Sequence, residues 1–183
     1  VASLGCGGGS ALGQSQGKSE AHSVDLVKKA MGLGVNFLDT ANAYGTEAIV
    51  GKAIKGVARD QVVISSKHHA AWSGKVYSAA DVVAGLDNSL RLLGTDYIDV
   101  FHLHGVGPKN IDYGLSLVEP LLKEKEKGKF RFLGITESAP PDLRHTSLSK
   151  ALDTDCFDVI MFAFSLMNHN AREILFPRTL EKN

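Results

Sequence analysis

Four polar residues, Asp39, Tyr44, Lys67 and His104, stand at or just past the ends of short apolar runs. Val35-Asn36-Phe37-Leu38 leads to Asp39, with Tyr44 on the loop that follows; Val62-Val63-Ile64-Ser65-Ser66 leads to Lys67, and Ile98 to Leu103 leads to His104. A carboxylate, a phenol, an ammonium and an imidazole are the groups of acid–base chemistry. In a closed parallel βα barrel that chemistry lies at the carboxyl ends of the strands, where polar residues read as catalytic and not as packing.

The elements that would position them follow from alternation of short β-branched runs with stretches of helical period, the pattern of βα units. A first strand is expected over Val1 to Leu4, running into the cluster Gly5, Gly7, Gly8 and Gly9. Helices are expected from about Ser23 to Leu33 and from Glu47 to Lys55, on either side of a strand at Asn36 to Leu38. After a strand at Val62 to Ser66, Ser78 and Asp81 have capping-box spacing ahead of the stripe Val82, Val83, Leu86, Leu90 and Leu93, which Gly94 ends. Next come a strand over Ile98 to Leu103, a helix reaching Lys127 and Gly128 with Pro120 tolerable near its first turn, and a strand over Phe130 to Ile135. A helix within Pro141 to Leu152, a strand over Asp158 to Phe162 and a helix from about Asn170 complete the count.

That makes six βα units of a (β/α)8 TIM barrel, in one domain over residues 1–183 and lacking the seventh and eighth strands. The chain opens at Val1 without an initiator Met and stops in polar helical sequence, so a longer natural protein is expected.

Twenty basic and twenty acidic residues cancel, so no global field favours nucleic acid or an anionic membrane. No run approaches the length needed to span a bilayer, and the amino terminus lacks a signal pattern. Cys6 and Cys156 lie far apart and form no ligand spacing, which suits a reducing cytoplasm.

The segment Gly34-Val35-Asn36-Phe37-Leu38-Asp39-Thr40-Ala41-Asn42-Ala43-Tyr44-Gly45 resembles the hallmark of the aldo-keto reductases. Ile64-Ser65-Ser66-Lys67, Leu93-Gly94-Thr95-Asp96-Tyr97-Ile98-Asp99-Val100 leading to His104, and Gly128-Lys129-Phe130-Arg131-Phe132-Leu133-Gly134-Ile135 extend the likeness over nearly the whole chain. The resemblance implies hydride transfer between a nicotinamide and a small carbonyl or alcohol, with Tyr44 as general acid and base. Free tyrosine titrates near about 10, so a cation at Lys67 is expected to pull that value down while Asp39 holds the ammonium. His104 would orient the carbonyl. The cofactor implied is NADP(H), with NAD(H) as the alternative.

The resemblance also places backbone contacts to the cofactor at Gly8 and Gly9, although the glycine cluster has no GxGxxG spacing and reads first as a tight turn needing positive φ. Asp39, Thr136, Glu137 and Met161 occupy the other cofactor positions; the family has Ser-Asn where Thr136-Glu137 stands and Gln where Met161 stands. A non-catalytic redox-sensing subunit on the same fold is the second reading. A zinc hydrolase is the third, since His102 and His104 share a strand face and could join Asp39 and Glu137. Lys67 fits that site badly, so no metal is expected and His102 is taken as packed one layer below the site. His68 and His69 either line the pocket or lie on the surface. Trp72 and Tyr77 either wall in the substrate or cover the barrel mouth.

Overall fold

The computed structural model describes residues 2–139 and 142–182; Val1 of the expected first strand and Pro141 of the expected fifth helix lie outside them. The elements are β1 (Ser3–Gly5), α1 (Glu20–Gly32), β2 (Phe37–Asp39), α2 (Glu47–Ile54), β3 (Val63–His69), β4 (Ala71–Trp72), β5 (Lys75–Val76) and α3 (Ala79–Leu93). They continue with β6 (Ile98–Val106), α4 (Ile111–Ser116), α5 (Val118–Glu126), β7 (Phe130–Glu137), α6 (Thr146–Leu152), β8 (Val159–Met161), α7 (Ala171–Ile174) and α8 (Phe176–Glu181).

Six strands form one curled parallel sheet in the order β1-β2-β3-β6-β7-β8, with helices between successive strands, as six units of a βα barrel should. Side chains alternate between its faces. Leu38, Ile64, Phe101, Leu103, Leu133 and Ile135 are fully buried on the outer face, where they meet Val27, Val50, Leu86, Leu121 and Leu148 from the helices. This layer is the core. Asp39, Ser65, Lys67, His102 and His104 fall on the other face, toward the barrel interior.

Several boundaries move, each for a local reason. Helix α1 begins three residues early because Ser19 caps it, its side chain accepting from the His22 N–H. The capping box at Ser78 and Asp81 is present, and α3 stops at Gly94 with φ of 66°. The expected fourth helix breaks at Leu117 into α4 and α5, and Pro120 sits in the first turn of α5, where no N–H is missed. Strands β3 and β6 run past their apolar cores, so Lys67 and His104 lie inside strands and not beyond them. At the opposite end of the barrel, the buried Asp99 carboxylate accepts from the Ile64 N–H at 2.9 Å, from Arg59 at 2.6 Å and from Arg131 at 3.2 Å, tying β3, β6 and β7 together.

Candidate active site

Lys67 is 1% exposed, and burial without a partner would neutralise it. Its Nζ donates to Asp39 Oδ2 at 2.7 Å and to the Thr40 carbonyl at 2.8 Å, while Asp39 Oδ1 accepts from Ser65 Oγ at 2.7 Å. Burial lowers the lysine below its usual value, and Asp39 works against that.

Tyr44 rides on a one-turn 3-10 helix over Asn42–Tyr44 that ends at Gly45 with φ of 70°. Its ring lies flat on Gly7, where an added Cβ would come within 2.4 Å of the ring. Only glycine permits this approach. We expect Gly7→Ala to push the ring aside and lower turnover about 10- to 100-fold with little change in melting temperature, since the half-buried ring can yield. Steady-state kinetics beside a thermal melt would check it; unchanged turnover would mean that the ring position is immaterial.

Tyr44 Oη lies 3.5 Å from His104 Nε2, and the two rings meet edge-on at 5.5 Å. Lys67 Nζ sits 4.9 Å from the tyrosine ring centroid. The structure corrects the expected direction of tuning. Burial, then the Asp39 charge, raise the phenol above its ordinary value. His104 is pushed down to about 3, by burial first and by the neighbouring His69 and Lys67 next, so it is neutral.

His102 is fully buried below His104, neither ring nitrogen having a partner among the described residues, with its value driven to about 3 by burial and Lys67. It packs on Gly134, where a Cβ would come within 2.2 Å of its ring. Neither histidine after Lys67 is a surface residue: His68 is 7% and His69 8% exposed. His68 faces α3 at Gly85 and meets Tyr77 edge-on at 5.0 Å, which puts Tyr77 on the helix side and not on a substrate wall. His69 faces inward with Lys67 and stacks on His104. Sequence reasoning left its place open between pocket and surface, although two-residue alternation from Lys67 carried the signal.

Trp72 belongs to the hairpin β4–β5, and its ring stacks on His69. Between this hairpin and the loop after β6 lies a cavity of about 730 Å³ lined by Trp72, Gly105, Pro108, Lys109, Asn110 and Ser138. Gly8 has φ of 69°, so the positive-φ turn is real, and both Gly8 and Gly9 are exposed there. Thr136 pairs with Met161 across β7 and β8, and its Oγ1 accepts from the Gly105 N–H at 2.8 Å. The Glu137 carboxylate is committed elsewhere: it accepts from His145 Nδ1 at 2.6 Å and from the Ala163 N–H at 2.7 Å. Among the described residues no three His, Cys, Asp or Glu side chains gather as a metal site would require. Cys6, buried beside Asp39 and Lys67, has its thiol raised to about 12, chiefly by burial.

The description of the aldo/keto reductase family matches residues 3–183. This chain belongs to the aldo/keto reductase family. Among curated relatives it is 36% identical to L-galactose dehydrogenase of Arabidopsis thaliana over 70% of this chain and 43% of that protein. It is 34% identical to the aldo-keto reductase YhdN of Bacillus subtilis over 66% of this chain and 38% of that one. The chain thus spans about two fifths of the curated relatives it matches. Among solved structures, a holo-form aldo-keto reductase from Bacillus halodurans superposes with a TM-score of 0.77 at 29% identity, over 98% of this chain and 58% of that one. An aldo/keto reductase from Klebsiella pneumoniae in complex with NADP and acetate gives 0.71 at 28% identity, over 98% and 59%. Aldo-keto reductases are oxidoreductases that work with nicotinamide cofactors. No helix among the described residues is long and apolar enough to cross a membrane.

Proposed function

We propose that this aldo-keto reductase chain interconverts a small carbonyl and its alcohol, with Tyr44 as general acid and base, Lys67 and Asp39 fixing the charge beneath it, and His104 orienting the substrate oxygen. The observation that most supports this is Tyr44 Oη at 3.5 Å from His104 Nε2, beside a buried Lys67–Asp39 pair at 2.7 Å. A bound nicotinamide would supply or accept hydride.

The remaining steps fall to the chain. As the carbonyl oxygen gains charge, the phenolic proton of Tyr44 neutralises it. A phenol raised above its ordinary value keeps that proton at neutral pH, which favours the reducing direction. Lys67, near the ring, stabilises the phenolate left behind. His104 is neutral, so the tautomer with hydrogen on Nε2 can donate to the substrate oxygen without repelling Lys67.

The residues present fit a nicotinamide at the strand ends. The Thr136 hydroxyl already accepts a hydrogen bond and keeps its own proton to donate, and Gly8 and Gly9 offer an exposed turn of bare backbone. Met161 neighbours Thr136, and Asp39 is held by Lys67 and Ser65 on β3. Glu137 would contribute through its backbone alone, since its carboxylate is engaged. We take NADP(H) as the preferred cofactor, supported by the Klebsiella pneumoniae relative, with NAD(H) as the competitor in the same assay. The same reading makes residues 1–183 a single barrel domain, with two further units filling the gap between the unpaired sides of β1 and β8. The free thiols fit a cytoplasmic setting.

The test is steady-state nicotinamide oxidation across a panel of aldehydes and ketones, with cofactor binding followed in parallel by fluorescence. Turnover of at least one carbonyl is expected. Tight binding with no turnover on the whole panel would overturn the reading in favour of a redox-sensing subunit.

A further inference from the structure

We propose that His69 is a positioning residue for His104, a ring clamped beneath Trp72 that sets the plane of the neighbouring imidazole against Tyr44. The inference rests on the role given to His104 above. Three rings lie in one stack: Trp72 to His69 at 4.6 Å and 21°, then His69 to His104 at 4.1 Å and 14°. His69 and His104 are paired across β3 and β6, so the stack is built on two rigid strands and closed by the hairpin.

His69 is fixed in every direction that matters. Its Nδ1 lies 2.9 Å from the His104 carbonyl oxygen; a carbonyl only accepts, so the hydrogen is on Nδ1 and the tautomer is set. Its faces are covered by Trp72 and His104. Burial lowers its value, so a neutral ring stacks on a neutral ring.

His104 lacks such anchoring of its own. A working histidine is ordinarily held by a hydrogen bond to its second nitrogen. Here His104 Nδ1 is buried with no partner among the described residues, and Tyr44 touches it only edge-on with a 3.5 Å contact. The face of His69 is what remains to stop the ring from turning. A ring turned about its Cβ–Cγ bond would carry Nε2 away from the substrate oxygen, a displacement that catalysis feels steeply.

The experiment compares His69→Ala, which removes the stack and the hydrogen bond, with His69→Phe, which keeps the stack alone. Readouts are kcat and KM, the melting temperature, and the ring-nitrogen resonances of His104 in isotopically labelled protein without cofactor. His69→Ala should lower kcat about 10- to 100-fold with KM for the cofactor nearly unchanged, and should shift or broaden the His104 ring signals. His69→Phe should recover most of both. A merely structural residue would lower the melting temperature and leave the His104 signals in place. If His69→Ala does not fold, His69→Leu fills the space without an aromatic face and carries the comparison. Unchanged kcat with unchanged His104 signals overturns the inference, as does a phenylalanine variant no better than the alanine one. His104→Ala separates the two levels: if it is inactive while His69→Ala is normal, only the clamp fails; if His104→Ala is fully active, the catalytic reading fails and the clamp with it.

Discussion

Tyr44→Phe should lower turnover about a thousandfold, the middle of the range for losing a general acid, while cofactor affinity and melting temperature stay close to those of the parent. The substitution removes one oxygen. The ring surface that rests on Gly7 is kept, and the lost hydroxyl had one side-chain neighbour, His104 Nε2, at the long distance of 3.5 Å. Little stability is at stake in a contact of that length. Lys67 would be a poorer choice for the same question. Removing it strands the Asp39 carboxylate in a half-buried site and frees the Thr40 carbonyl, so lost activity and lost fold would be confounded. Normal kcat in a folded Tyr44→Phe protein would remove the phenol from the mechanism.

Acid should unfold the protein well before its carboxylates are protonated. His102 and His104 sit at about 3 in the folded state against an ordinary 6.5. Between those values the unfolded chain binds protons that the folded one refuses, so stability falls as pH falls, by about 1.4 kcal/mol per pH unit for each imidazole. Below about 3 the loss stops growing. His68 and His69, lowered by burial as well, steepen the same limb. Asp142, held low by its bonds to Ser147 and Thr146 although burial opposes them, acts only beneath its ordinary 3.8. Urea unfolding at about pH 7 and about pH 4.5 therefore reads the imidazoles. His102→Leu should keep neutral-pH stability, because it also removes two unpartnered buried nitrogens, and should flatten the slope by one imidazole's share. An unchanged slope would show that His102 already carries a proton or reaches water.

That Asp39, Tyr44, Lys67 and His104 lie close together was legible from the chain, because polar residues ending β-branched runs are rare enough to be noticed. How they work together was less so. Strands β3 and β6 outlast their apolar stretches, since backbone pairing to a neighbour holds polar residues in extended form, and periodicity alone ends too soon. That boundary is why His69 stayed undecided between pocket and surface. The hairpin had its own mark in Ser73-Gly74, whose φ values of 50° and 80° suit a two-residue primed turn. Glu137 and His145 sit eight residues apart with no pattern linking them, and only the fold brings them to 2.6 Å. The direction in which Tyr44 is tuned depends on burial, which residue types do not encode.

The strand order β1-β2-β3-β6-β7-β8 places each strand of the sheet beside its predecessor. A polypeptide leaving the ribosome can therefore lay each strand on one already in place, with no closure longer than a single βα unit. Asp39, Tyr44, Lys67, His69 and His104 all precede the end of β6 at Val106. Once β6 is in place all five of these side chains are present, and β7 and β8 add none of them.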